Sequence, residues 1–124
     1  MKNNSATREE VNEFLKVFKE RAKFFGIVYV DSKPNNIDTL TALDIRSKDR
    51  DKYVLSLTED DYCQGPDKND YPGQNDVWVF GKRIKKEEIY IKIYINALPN
   101  VANVCISFHI AKNKLSYPLK EKQE

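Results

Sequence analysis

From Ile89 to Ile95 apolar and polar side chains alternate without a break, with Ile89, Ile91, Ile93 and Ile95 in one set and Tyr90, Lys92 and Tyr94 in the other. A period of two is that of a β-strand, whose successive side chains leave opposite faces. The isoleucine set must therefore meet a core, and the Tyr and Lys set points away from it. Val104, Ile106, Phe108 and Ile110 alternate with Cys105, Ser107 and His109 in the same manner, and Val77 to Ile84 is a third β-rich segment. The segments are separated by turns at Lys85-Lys86 and Pro99-Asn100, which predicts a three-stranded antiparallel meander.

The layer that covers the isoleucines is sought upstream. Val11, Phe14, Leu15, Phe18, Ala22 and Phe25 recur at helical spacing, so Thr7 to Phe25 reads as a helix with one buried stripe. Thr7 and Glu10 form a capping-box pair, and Gly26 is the stop. Ile27 to Val30 reads as a short strand before a turn at Ser32 to Asn36. Two or three short helices are expected between Ile37 and Cys63, the last capped at Thr58 and ended by Gln64-Gly65-Pro66. The run from Gly65 to Asp76 has no periodicity and reads as a long loop, while Asn113 to Glu124 reads as a tail that anchors through Leu115, Tyr117 and Leu119 and then frays. The expected fold is a single α+β domain over residues 1–124, with N-terminal helices packed on a mainly antiparallel sheet.

Composition narrows the function classes. No apolar run approaches the roughly 20 residues of a membrane span, and the polar start has no signal-peptide core, so a cytoplasmic setting without membrane contact is expected. Two cysteines, Cys63 and Cys105, make no disulfide framework, and no zinc or calcium spacing occurs. The net charge of +2 hides a local asymmetry. Lys82, Arg83, Lys85, Lys86 and Lys92 outnumber Glu87 and Glu88 in the meander, whereas Glu59, Asp60, Asp61, Asp67, Asp70 and Asp76 face Lys68 alone in the segment before it.

The outward face of the meander thus collects Tyr90, Lys92, Tyr94, Ser107 and His109. Lysine neutralises phosphate, tyrosine can stack an unpaired base or pass a proton, and histidine exchanges a proton near neutral pH, a set suited to RNA. Cleavage of an RNA strand needs a base for the 2′-hydroxyl, an acid for the leaving 5′-oxygen and positive charge on the phosphorus between them. His109, Tyr90 and Lys92 are the candidate catalytic residues, with Lys82, Arg83 and Ser107 as RNA contacts and no metal required. Each also has a plain reading: a structural histidine, half-exposed strand tyrosines, a solvated Lys82 to Lys86 turn, packing anchors at Trp78 and Phe80, and inert cysteines.

Taken in order, Leu57-Thr58-Glu59-Asp60-Asp61-Tyr62, Val77-Trp78, Tyr90-Ile91-Lys92-Ile93 and Cys105-Ile106-Ser107-Phe108-His109 resemble the motility quorum-sensing regulator (MqsR-type) toxins of the RelE-like superfamily. The resemblance covers roughly Tyr53 to His109 and is that of a variant branch. It implies a RelE-like fold and a cofactor-free endoribonuclease that cuts mRNA. It also implies a cognate antitoxin protein, encoded next to the toxin, that holds it inactive, with the ribosome as a further candidate partner. Tyr90 falls on the family's catalytic tyrosine, and Trp78 and Gln64 join the implied RNA-binding set. His109 stands where better-known members carry a catalytic lysine, Gln64 where they carry another lysine, and Val79 where a glutamine follows the tryptophan. The reading from another class is a non-catalytic protein- or RNA-binding module.

Overall fold

The computed structural model describes residues 5–120 and shows three helices packed on a five-stranded, mostly antiparallel sheet. Helix α1 (Arg8–Phe25) starts at the expected capping box: Thr7 Oγ1 accepts from Glu10 N at 3.1 Å and Glu10 Oε1 accepts from Thr7 N at 2.8 Å. It stops at Gly26, whose φ of 83° suits a residue without a Cβ. Val11, Phe14, Leu15, Phe18 and Ala22 are buried as the stripe predicts, but Phe25 is exposed beside Phe24.

Strand β1 (Ile27–Tyr29) leads into α2 (Pro34–Leu43) and α3 (Arg50–Leu55). Helix α2 begins inside the stretch expected to be a turn, because Pro34 occupies its first position, where the missing N–H costs nothing. The helix expected after Thr58 is a single 3-10 turn, Glu59–Asp61, and the chain then enters β2 (Tyr62–Asp67). As an outer strand with an irregular register, β2 tolerates Pro66, which made this segment read as a helix end. The loop before β3 (Val77–Ile84) is accordingly shorter than expected. It is tied down where Asn69 donates to Asn75 O at 2.9 Å and Asn75 donates to Ile95 O at 2.8 Å.

β3, β4 (Glu87–Tyr94) and β5 (Asn103–Ile110) form the expected meander, and the sheet runs β1-β5-β4-β3-β2 with β1 parallel to β5. Lys85 and Lys86 both take positive φ, as a two-residue hairpin turn requires. One register break changes the face assignment. Lys92 pairs with Ser107 but Ile93 pairs with Cys105, so Ile106 is an extra residue in β5. On the N-terminal side of this bulge the alternation inverts: Cys105 joins the helix-side core with Ile89, Ile91, Ile93 and Phe108, whereas Ile106 turns to the far face to pack with Val77 and Tyr94. The expectation that Ile106 shares the Phe108 face is corrected by that single residue.

C-terminal to the bulge, the β1 edge of β5 runs out of strand partner, since β1 covers only Asn103 to Cys105. Helix α2 takes over with side chains. Asn36 Nδ2 donates to Ile106 O and Val30 O, both at 2.9 Å, its Oδ1 accepts from Phe108 N at 3.0 Å, and Thr39 Oγ1 accepts from Ile110 N at 3.0 Å. Below this, wholly buried Arg50 donates to both oxygens of Asp31, at 2.8 and 3.0 Å, and lies 4.0 Å from the Tyr29 ring centre, joining α3 to the segment after β1.

Asn36→Ala is expected to lower stability by about 3 kcal/mol, the upper end for buried backbone groups left unpaired. The check is a lower urea midpoint with an unchanged slope. The Arg50 hydrogen bonds hold the Asp31 carboxyl below its ordinary range. Its contribution is present above the unfolded value near 4 and is lost as pH falls through the lower folded value. Denaturation curves of wild type and Asp31→Asn are therefore expected to converge on acidification, and a difference independent of pH would contradict this.

Candidate functional site

On the face away from the helices, the sheet register lays the polar side chains in rows. Tyr90 pairs with His109 and Lys92 with Ser107, so the four occupy adjacent corners of one patch. Directly opposed side chains on neighbouring strands stand about 5 Å apart and alternate residues along a strand about 7 Å, so the patch spans roughly one nucleotide linkage. A groove of about 390 Å³ lies over it, walled by Ala111, Lys112, Asn113 and Leu115 from the chain that follows β5. Among the described residues two lysines and no carboxylate line it.

The histidine ring is held in a defined position. Its ring stacks on that of Tyr90, with centroids 5.2 Å apart and planes 14° from parallel. Nδ1 lies 3.0 Å from Ile110 O. A carbonyl oxygen only accepts, so this bond puts the proton on Nδ1 and leaves Nε2 with the free lone pair. The Tyr90 hydroxyl has its pKa raised above the usual 10, first by burial and then by the nearby Cys63 and Asp67 charges. It is therefore a protonated donor at neutral pH.

The wall of the groove depends on Gly81. Tyr117 donates to Glu88 Oε2 at 2.7 Å, and Leu115 N donates to Glu88 Oε1 at 3.2 Å, which lays this segment across the outer face beside Tyr90. A Cβ on Gly81 would overlap the Tyr117 hydroxyl and Leu115 Cδ1, so glycine is what lets the strand and tail approach. The anchoring residues of the tail are thus Leu115 and Tyr117 together with Leu119, whose carbonyl accepts from Arg8 at 2.7 Å. The expected fraying beyond residue 120 lies outside the described residues.

The remaining sequence candidates sit elsewhere. Lys82 projects to the helix side and reaches Asp61 at 3.6 Å, since its strand neighbour Gly81 holds the outer position. Trp78 also faces the helices, stacked on Phe14 at 4.5 Å, and packs as an anchor. Arg83 is on the outer face but turned to the β3–β4 hairpin, where it donates to Lys86 O at 3.0 Å. Gln64 shares the row of Val79, Lys92 and Ser107, two strands from Lys92, and its amide is engaged by Asp67 at 2.8 Å. Tyr94 is buried with Val77 and Ile106. Burial raises both thiols, that of Cys63 to about 12, so neither is a nucleophile at neutral pH. The acidic segment is partly neutralised within the fold, Glu59 bonding Arg8 and Asn12. Lys112 and Asn113 escaped the sequence reading because nothing in a polar tail signals that it turns back over the sheet.

Among the described residues no helix is long and apolar enough to cross a membrane, and no three His, Cys, Asp or Glu side chains converge as a metal set would. Compared with protein-family models, curated proteins and solved structures, the chain matches none. Gly81→Val is expected to leave the sheet folded and lift the tail. Hydrogen exchange at the Leu115 amide checks this, since protection there should be lost while that of β4 and β5 persists.

Proposed function

We propose that the protein is a metal-independent endoribonuclease acting on single-stranded mRNA, the toxin of a toxin-antitoxin pair in the cytoplasm, related to the MqsR-type, RelE-like ribonucleases. The observation that carries this reading is the stacked Tyr90–His109 pair beside Lys92 in a carboxylate-free groove. His109 Nε2 takes the proton from a ribose 2′-hydroxyl, and the 2′-oxygen forms a bond to phosphorus while the bond from phosphorus to the 5′-oxygen breaks. Tyr90 protonates the departing 5′-oxygen. Lys92 and Lys112 balance the charge on the phosphorane, and solvent returns the proton from imidazolium to phenolate. The products are a 2′,3′-cyclic phosphate and a 5′-hydroxyl end. Lys82, on the opposite face, has no part in this step.

A cognate antitoxin encoded nearby is part of the same proposal. Supporting it is the chemistry of a site that is open to any single strand and would need a partner to restrain it.

The test is cleavage of a mixed RNA pool in chelator. His109→Ala is expected to cut at least about 100-fold more slowly, the usual contribution of general acid–base catalysis, with Tyr90→Phe and Lys92→Ala also impaired. Lys82→Ala should be affected less than Lys92→Ala. Equal cutting by wild type, His109→Ala and Tyr90→Phe would overturn the assignment, and binding without cutting by all of them would favour a non-catalytic RNA-binding module.

A further inference from the structure

The chain from Ala111 to Tyr117 forms neither helix nor strand, so its course is fixed by what it is tied to. Glu88 supplies three of those ties. Its backbone oxygen accepts from Ala111 N at 2.8 Å, and its carboxylate oxygens accept from Leu115 N at 3.2 Å and from the Tyr117 hydroxyl at 2.7 Å. Lys112, Asn113 and Lys114 are thus a short loop pinned at both ends to a single strand residue, and Lys112 and Asn113 line the groove from it. Burial, then the Glu88 hydrogen bond and charge, raise the Tyr117 hydroxyl above its usual 10, so it remains a donor at neutral pH. A carboxylate in this place works against a phosphate site. Glu88 is two residues from Tyr90 on the same face of β4, roughly 7 Å along the strand and inside the screening length of about 8 Å at physiological salt. It does not line the groove, but lies in a polar hollow of about 150 Å³ with Gly81 and Tyr117.

We infer that Glu88 is a positioning residue of this site: it touches no RNA, and it holds the segment after β5 as a strap that sets Lys112 over the phosphate at His109. The inference rests on the RNA reading of the groove. An ammonium on an untied segment would have to be ordered each time a strand binds, and that entropy is drawn from affinity. Pinned on either side of its loop, Lys112 is ordered before RNA arrives. Only a carboxylate can make both side-chain ties, because it accepts at two oxygens. A glutamine of the same size accepts at one, and its amide nitrogen is a donor facing another donor.

The two effects of Glu88 on RNA affinity have opposite signs, which makes the test decisive. Its charge repels phosphate, so Glu88→Gln tightens binding if the carboxylate does nothing else, whereas release of the strap weakens it. Affinity is read by titrating the full chain with a non-cleavable 2′-O-methyl oligouridine at several salt concentrations. Glu88→Gln is expected to bind about fivefold more weakly, the scale of one net hydrogen bond. The slope of log affinity against log salt should fall by about 0.7, one phosphate contact in a single strand. Lys112→Ala should show the same two losses, and adding Glu88→Gln to it should cost nothing further. Tyr117→Phe removes one tie and no charge, and should weaken binding in the same direction. It carries the test alone if Glu88→Gln loses hydrogen-exchange protection in β4 and β5. Glu87→Gln, which removes a like charge from the exposed neighbouring position, should not weaken binding. Tighter or unchanged binding by Glu88→Gln with its sheet intact, unchanged binding by Tyr117→Phe, or a Glu88→Gln loss that persists in full without Lys112 would overturn the positioning role. Each of these leaves the RNA reading standing, since wild type binds. Binding by wild type without cleavage of unmodified RNA removes the nuclease and keeps the strap, and no binding by wild type removes both.

Discussion

The edge of β5 is the constraint on which the rest of this structure depends. A buried strand edge must have its N–H and C=O groups answered, and β1 is too short to answer more than the first three residues. Asn36 and Thr39 serve as a substitute strand, supplying from a helix the acceptors and donors that a sixth strand would have offered. This fixes where α2 lies. It also leaves the end of β5 beside a helix rather than beneath another strand, and His109 is therefore reachable from two sides.

Two further devices turn a plain sheet face into a site. The bulge at Ile106 divides the outer face into an apolar end, where Tyr94, Val77 and Ile106 pack, and a polar end with Tyr90, Lys92, Ser107 and His109. The segment after β5 then folds back over Gly81 and raises a wall along the polar end. Rigid strands carry the chemistry and an irregular segment shapes access to it, the usual division between scaffold and loop.

Much of this was legible in residue order. Period-two alternation places Tyr90, Lys92, Ser107 and His109 on one face, and the helical stripe of α1 with its Thr7–Glu10 cap is legible almost to the residue. The α+β layering followed from those two patterns. What escaped was non-local. Asn36 and Thr39 look like ordinary turn and helix residues until the far strand that needs them is in place. Arg50, in the charged stretch Arg46 to Lys52 that interrupts the helical pattern, is buried because Asp31 and Tyr29 arrive from another element. Tyr62–Asp67 carries Gly and Pro that local rules assign to a helix end, and its pairing with β3 overrides them. Charge alone groups Lys82 with Lys92, although alternation along its own strand sends the two to opposite faces.

The extra residue at Ile106 has a consequence for how such a surface can vary over time. Downstream of it, each side chain's face is set by counting from Ser107, so His109 reaches the groove because it stands two residues further on as well as through its own chemistry. Exchanges of one residue for another at positions 104–110 alter the surface locally. Gain of one residue between Ser107 and Phe108 would turn the imidazole toward the isoleucine layer and bring Phe108 into the groove. A lineage carrying this site can drift widely in composition along β5 while the spacing from Ser107 to His109 stays fixed.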